Sequence, residues 1–425
     1  MRISVVHNEY GRTSGEEIVV GRLMALLREH GHHVSPFLRS SAMIGRMPFG
    51  QIRAFFSGIY NPWSRRDFRQ FLMTERPDIV HIHNLYPLIS PSILLECRAC
   101  SIPVVMTVHN FRLLCPNGLF MSGGRVCTAC CRGREYWCLL RNCERQWPKS
   151  LGYALRNAVA RRLGFFRDAV WLYATLTEFQ KRWLVDSGIP EARVVVIPNM
   201  VESTAANLMS PGEVGLEVGK EPIVDGGVGG GMVEGGDQKG RGGGEGYVAF
   251  VGRVSPEKGV ETLLAAARRL PSIPFRIAGE YGRMPHLPGT APANVRFLGH
   301  LDAKGVSEVY SGARMVVQCS LCFEGFPMSV VEAMGHGRAV IGSRLGGLAE
   351  IVEDGVTGKL VEAGDETGLA AAVLDLWGRP EATARMGELG RQRVASCYSP
   401  ARYFDRLERA YAKALRLGPP LWTEE

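Results

Sequence analysis

The stretch from Gln318 to Gly364 constrains the chain most, because strand and helix patterns alternate there across short turns marked by glycine. An apolar run, Arg314 to Leu321 (RMVVQCSL), reads as a buried parallel strand ending in small and polar residues. Glu324, Gly325, Phe326 and Pro327 follow, and then a helical pattern from Met328 to Gly337 that carries Glu332. This spacing sets Glu324 in the loop before the helix and Glu332 just over one turn inside it. Free N–H groups and the positive dipole end of that helix suit phosphate, and carboxylates beside them can accept hydrogen bonds from sugar hydroxyls. A second strand pattern, Arg338 to Ser343, leads to Gly346-Gly347, a pair that lets backbone approach a ligand closely. Strands alternating with helices in this way make an α/β fold on a parallel sheet.

A chain of 425 residues has room for two domains with well-buried cores. No apolar run nears the roughly 18 to 20 residues needed to cross a bilayer. The first residues, MRISVVHNEY, carry a strand-length apolar run without a signal-peptide core, so a cytoplasmic location is expected. Charge is uneven. Residues 1–200 carry 26 Lys/Arg against 14 Asp/Glu, whereas residues 201–425 carry 24 against 28. The basic half is expected either to face an anionic membrane or a lipid pyrophosphate or to serve solubility. No nucleic-acid motif accompanies it.

Along the chain, Arg2 to His7 reads as the first strand, and Gly11 to Gly15 as the turn into a helix ending near His30. Ile59 to Arg76 mixes Trp63, Phe68 and Phe71 with Arg65, Arg66 and Arg69. A packed helix with a solvated arginine face is favoured over an interface-seeking one. Ile79 to His83 (IVHIH) and Pro103 to His109 (PVVMTVH) read as further strands, the second ending in His109-Asn110. Residues just past such strand ends line the ligand crevice of an open parallel sheet. Six of the 11 cysteines then fall between Cys115 and Cys143. Cys115, Cys127, Cys130 and Cys143 offer either a four-thiolate zinc knuckle or a loop of reduced thiols. Between Pro211 and Gly246, 15 of 36 residues are glycine, too few large apolar groups to offset ordering entropy, so disorder is expected there. Tyr247 to Val251 opens a second strand series and feeds Gly252-Arg253-Val254-Ser255-Pro256-Glu257-Lys258-Gly259.

The string Glu-Gly-Phe-Pro, the second glutamate eight residues on, A-V-I, G-G and D-G-x-x-G resembles the donor-sugar site of the retaining glycosyltransferases of family 4. The resemblance implies the α/β GT-B architecture, two facing Rossmann-like domains with a cleft between them. It implies an N-terminal acceptor-side domain over residues 1–200, a linker insertion over 201–246, a nucleotide-sugar domain over 247–397 and a terminal helix over 398–425 returning to the first domain. By the same resemblance Glu324 meets the donor sugar and Glu332 the ribose. Arg253 and Lys258, on the G-R-x-x-x-x-K-G loop with Gly252, hold the diphosphate. His109 of the T-V-H-N phrase reaches the sugar from the N-terminal side, and the Phe297 to His300 turn, with Gly299, lies beside the base. Gly325, Phe326 and Pro327 complete the donor loop. At the first turn the family carries a glycine pair, and only Gly15 matches because residue 14 is serine.

The implied activity is transfer of a sugar, with retention, from a nucleotide diphosphate donor to a glycan or lipid-linked acceptor in envelope polysaccharide or glycolipid synthesis. No D-x-D occurs in the sequence, so no catalytic cofactor is expected. Two rivals are another GT-B enzyme, such as a sugar-nucleotide epimerase or a phosphorylase, and a non-catalytic protein that keeps the nucleotide site. The string from Gly252 through Gly259 with Glu324 and Glu332 argues against the first; the near-complete donor motif disfavours the second, whereas Ser14 in place of glycine speaks for it.

The glycine-rich insertion generates a first prediction. Closure entropy grows only logarithmically with loop length. Shortening residues 208–244 to a few residues should therefore leave melting temperature and donor binding nearly unchanged, and a large loss of either would show that the segment docks.

Overall fold

The computed structural model describes residues 1–11, 15–201 and 246–420; the glycine-rich insertion expected to be disordered lies outside them. Two six-stranded sheets carry the fold, and every pairing within them is parallel. The first uses β1 (Arg2–Glu9), β2 (His33–Ser40), β3 (Ile79–Ile82), β4 (Val104–Val108), β7 (Leu172–Thr175) and β8 (Val194–Val196), in the order β2-β1-β3-β4-β7-β8. A two-residue hairpin, β5 (Met121–Ser122) with β6 (Arg125–Val126), interrupts that series. The second sheet uses β9 (Tyr247–Val251), β10 (Phe275–Ala278), β11 (Val295–Gly299), β12 (Ala313–Gln318), β13 (Ala339–Ser343) and β14 (Gly358–Val361), in the order β11-β10-β9-β12-β13-β14. The expected pair of Rossmann-like domains is thus present.

The strands read as near-continuous apolar runs because helices cover both faces of each sheet. β3, β4, β9 and β13 are buried along their whole length. Each sheet reverses its strand order once, between β1 and β3 in the first and between β9 and β12 in the second. Crevices open beyond the carboxyl ends of the strands at such reversals, and ligands bind there.

Helix Pro62–Glu75 follows the packed reading, since Phe68 is fully buried and Leu72 nearly so. Its Trp63 stays exposed. Helix Gly50–Ile59, which comes between β2 and helix Pro62–Glu75 and buries only two glycines, was not expected from the sequence.

Three of the contacts that tie the two domains stand out among the described residues. Glu350 of the second accepts from the N–H groups of Glu178 and Phe179, at 2.9 and 3.0 Å, which start helix Glu178–Asp186 of the first. Phe323 reaches across to Phe111, Phe120, Phe179 and Trp183. Helix Pro400–Leu417 returns to the first sheet, where Tyr403, Leu407 and Tyr411 pack with Val5, Leu23 and Leu172.

In that last contact the buried Tyr411 hydroxyl and His81 Nδ1 are 2.7 Å apart, and His81 Nε2 is 2.8 Å from Thr107 Oγ1. Burial lowers the His81 pKa to about 3, so the ring is neutral and needs both partners. Tyr411→Phe should cost about 1–3 kcal/mol, the penalty of one orphaned buried polar atom. Denaturant unfolding measures it, and an unchanged midpoint would show that the contact adds nothing.

Candidate active site

The carboxyl ends of β9 and β12 meet in one ion pair. Lys258 Nζ donates to Glu324 Oε1 at 2.6 Å, and Ser320 Oγ donates to the same oxygen at 2.6 Å. Local backbone makes the approach possible. Gly259 sits at φ +69°, and a Cβ there would lie 2.0 Å from the carbonyl oxygen of Cys319. The Glu324 loop is braced from its other side by Gly347, whose N–H donates to the Glu324 carbonyl at 2.8 Å. A Cβ on Gly347 would stand 2.3 Å from the Gly325 oxygen. The Gly346-Gly347 pair, read from sequence as room for a ligand, is room for the chain's own backbone.

Burial opposes the Lys258 charge, but the Glu324 carboxylate outweighs it and holds the ammonium above its ordinary range. Burial likewise pushes the Glu324 carboxyl up, while the Lys258 charge and the two hydrogen bonds bring it below the usual carboxylate range. Both groups are therefore charged at neutral pH. Arg253 stands beside them, with Nη2 3.3 Å from Glu257 Oε1. Glu257 is almost fully buried and also faces Arg283 at 3.7 Å. The sequence reading missed this glutamate, whose only signal was its place four residues after Arg253.

These groups line a pocket of about 390 Å³ between the domains. His109, Asn110, Phe111 and Gly118 form its N-terminal wall, and Arg253, Glu257, Lys258, Cys322, Phe323, Glu324 and Gly325 the other. The Glu324, Lys258, Arg253, His109 and Gly325 singled out in the sequence are thus brought together. His109 Nε2 is 2.7 Å from His83 Nδ1, and burial lowers the His109 pKa to about 4, so this imidazole is neutral.

Other candidates stand apart from that wall. Glu332, on helix Met328–Gly335, takes a hydrogen bond from Tyr310 OH at 3.4 Å. Burial raises its pKa against the opposing charge of Arg22 from the first domain. Phe326 is core, edge-on to Tyr398 at 5.3 Å, so its side chain serves packing. Pro327 caps helix Met328–Gly335, whose N-terminus has no side-chain hydrogen bond. Gly15 faces this helix across the cleft, a Cβ there lying 3.6 Å from Met328 Cγ. Gly252 ends β9 at φ +151° and donates to the Ala278 carbonyl. Phe297 is half-buried against Tyr281, and Gly299 ends β11 at φ +70°.

A second, smaller pocket adjoins on the N-terminal side and is lined in part by Glu16, His83, Asn84, Tyr86, His109 and Arg112. Arg112 donates to Tyr10 OH at 3.0 Å and to Asn84 Oδ1 at 3.3 Å. His83 and Asn84 were legible as residues beyond a strand end but were not singled out.

In the cysteine loop Cys130 lies close enough to Cys115, Cys127 and Cys143 for their charges to act on it. All 11 cysteines are free thiols, and among the described residues no group of three or more His, Cys, Asp or Glu could hold a metal ion. Cys115 donates to Asn117 Oδ1 at 3.0 Å, and Cys127 accepts from Arg141 at 2.9 Å. Cys143 is hydrogen-bonded with Cys138, which lies outside the expected set, and that bond lowers the Cys143 pKa.

Comparison with known proteins bears on both domains. Residues 13–204 match the family described as Glycosyltransferase Family 4, and residues 245–379 match Glycosyl transferases group 1. The chain is 35% identical over 156 residues to a glycogen synthase of Mycobacterium tuberculosis, covering 35% of this chain and 37% of that protein. It is 32% identical over 136 residues to a phosphatidyl-myo-inositol mannosyltransferase of Mycolicibacterium smegmatis, covering 30% of this chain and 35% of that one. The chain thus spans little more than a third of the length of these relatives. Among solved structures, sucrose-phosphate synthase from Thermosynechococcus elongatus superposes at a TM-score of 0.67 with 16% identity, covering 98% of this chain and 99% of that one. Anabaena HepE in complex with UDP-glucose gives 0.61 with 16% identity over 97% and 99%. At these identities the likeness is one of architecture, the GT-B arrangement of two facing domains.

The ion pair generates a pH prediction. Lys258→Met leaves Glu324 buried without its cation, so its carboxyl pKa rises on folding instead of falling. The wild-type pair contributes stability above the ordinary carboxylate range and loses it as pH falls through the lowered Glu324 value. The melting-temperature gap between wild type and variant should be widest near pH 7 and should close toward pH 4. A gap that does not change with pH would contradict the pairing.

Proposed function

This chain belongs to the group 1, family 4 glycosyltransferases, and from that premise we propose that it moves a hexose-like sugar from a nucleotide diphosphate sugar to a glycan or lipid-linked acceptor. The Lys258–Glu324 pair in the interdomain pocket carries this reading. A departing nucleoside diphosphate gains negative charge as the glycosidic bond breaks, and preorganised cations at that point stabilise it. Lys258 and Arg253 supply them, assisted by the uncapped N-terminus of helix Met328–Gly335. When the diphosphate takes over the lysine, Glu324 is released toward the sugar hydroxyls. The neutral His109 can donate a hydrogen bond to the sugar from the opposite wall.

The UDP-glucose complex of Anabaena HepE, which shares this architecture, supports a nucleotide-sugar donor. The relatives named above, one a glycogen synthase and one a phosphatidyl-myo-inositol mannosyltransferase, support an acceptor of the glycan or glycolipid class. Retention follows from the family, with same-face attack in which the leaving phosphate takes the acceptor proton. Cationic side chains, with no D-x-D in the sequence, are proposed to carry the diphosphate charge. The role of residues 1–200 is to present the acceptor, and a place in envelope polysaccharide or glycolipid synthesis, at the inner face of a membrane, fits their basic charge.

Two variants test the division of labour. Glu332, assigned to the ribose, touches a part of the donor that changes little during reaction. Glu332→Gln should therefore raise KM and weaken binding of bare nucleoside diphosphate. Glu324→Gln should leave nucleoside diphosphate affinity nearly intact and lower kcat by about 10²-fold, the scale of one preorganised electrostatic group. Calorimetry beside steady-state kinetics separates them. Equal loss of nucleoside diphosphate affinity in both variants would overturn the assignment.

A further inference from the structure

An apolar face on the N-terminal domain is left uncovered. Helix Gly50–Ile59 packs against helix Trp147–Arg162 through Phe55, whose ring would stand 2.7 Å from a Cβ on Gly152. That contact occupies one side of each helix. On the outer sides Phe49, Ile52 and Phe56 recur at intervals of three and four, and Trp147, Leu151 and Leu155 at intervals of four. All six are exposed, Phe49 by 80% and Phe56 by 62%. Phe49 also holds φ at +53°, a strained setting for a bulky residue, while its ring faces solvent. Stripes of this kind on two adjoining helices make one patch, and a patch of large apolar side chains marks an interaction surface.

The two segments that carry the patch are basic, and partners from outside them pair part of that charge, Arg39 with Asp67, Arg65 with Glu96 and Lys149 with Glu144. Residues 30–66 contain five arginines and no Asp or Glu, and helix Trp147–Arg162 carries four basic residues and no acidic one. Among the described residues Arg46, Arg53 and Arg145 form no ion pair. The patch also adjoins the acceptor-side pocket. The turn at Gly11 packs on Ala42, just before helix Gly50–Ile59, and Gly58 of that helix lies beside Pro87, next to Tyr86 of the pocket wall.

We propose that this face seats the protein on an anionic lipid bilayer, with the six apolar side chains in the headgroup boundary and the arginines on lipid phosphates. Aromatic and aliphatic anchors ringed by arginine are the composition that binds there. A second copy fits less well, because an isologous contact would press the same unpaired arginines together. The inference rests on the acceptor-side assignment of this domain, since a lipid-carried acceptor would then meet the adjoining pocket from the surface it is embedded in. No helix among the described residues is long and apolar enough to cross a membrane, so attachment would be to the surface.

Sedimentation of the full chain with vesicles tests this. Wild type should pellet with vesicles of phosphatidylglycerol and phosphatidylcholine, and only weakly with phosphatidylcholine alone. The double variants Phe49→Ser with Phe56→Ser, and Arg46→Glu with Arg53→Glu, should each bind the anionic vesicles about tenfold less or weaker still. Calorimetry with nucleoside diphosphate, expected unchanged, shows that both variants remain folded. Wild type left in the supernatant, or pelleting unaltered in both variants, would overturn the proposal. So would a lipid-free dimer in sedimentation velocity that Phe49→Ser with Phe56→Ser dissolves, since a second copy would then cover the face. Vesicle binding needs no sugar transfer, so its failure leaves the donor-site reading standing, and a failed turnover assay leaves the surface standing.

Discussion

A buried ion pair between neighbouring strand ends organises the second domain. Bringing Lys258 and Glu324 out of water is costly, and a pair of apolar residues could fill such a place with less penalty. The chain nevertheless builds toward it from several directions. Gly259 lets the lysine-bearing turn close on Cys319, Gly347 holds the Glu324 loop, and Ser320 adds a second donor to the carboxylate. So much local construction around one pair makes sense if the pair is a resting state, in which the glutamate holds the place that an anionic ligand will take.

Among the described residues, the first domain closes that site without placing a cation in its lining. Its contribution is a neutral imidazole, His109, backed by His83, and a wall of backbone and apolar side chains. The relative placement of the two halves is fixed by Glu350 on the helix at Glu178, by Phe323 in its aromatic surroundings, and by the returning helix anchored through Tyr411. Each tie crosses the domain boundary with groups from both sides, and the pocket exists only where they hold.

Much of this was legible in the residues themselves. Apolar runs such as YVAFV and RAVIGS are buried strands because helices cover both their faces, so a one-dimensional pattern was enough to find them. Glu324, Lys258 and Arg253 could be picked out because they lie in short loops whose spacing is set by strand and helix geometry. The readings that changed depended on distant neighbours. Phe326 looks like part of a ligand loop until Tyr398, far along the chain, takes its ring. Gly346-Gly347 looks like ligand clearance until the Glu324 backbone is found in that space. Helix Gly50–Ile59 escaped notice because its outward face is apolar, the reverse of the pattern by which a packed helix is recognised.

The most direct measurement is a structure of the protein determined with nucleoside diphosphate bound. The expected result is the diphosphate in the interdomain pocket, with Lys258 Nζ and Arg253 on its oxygens and the Lys258–Glu324 contact opened. A diphosphate bound elsewhere, or bound in the pocket with the 2.6 Å pair still closed and Lys258 off the phosphates, would contradict the central role given to this pair.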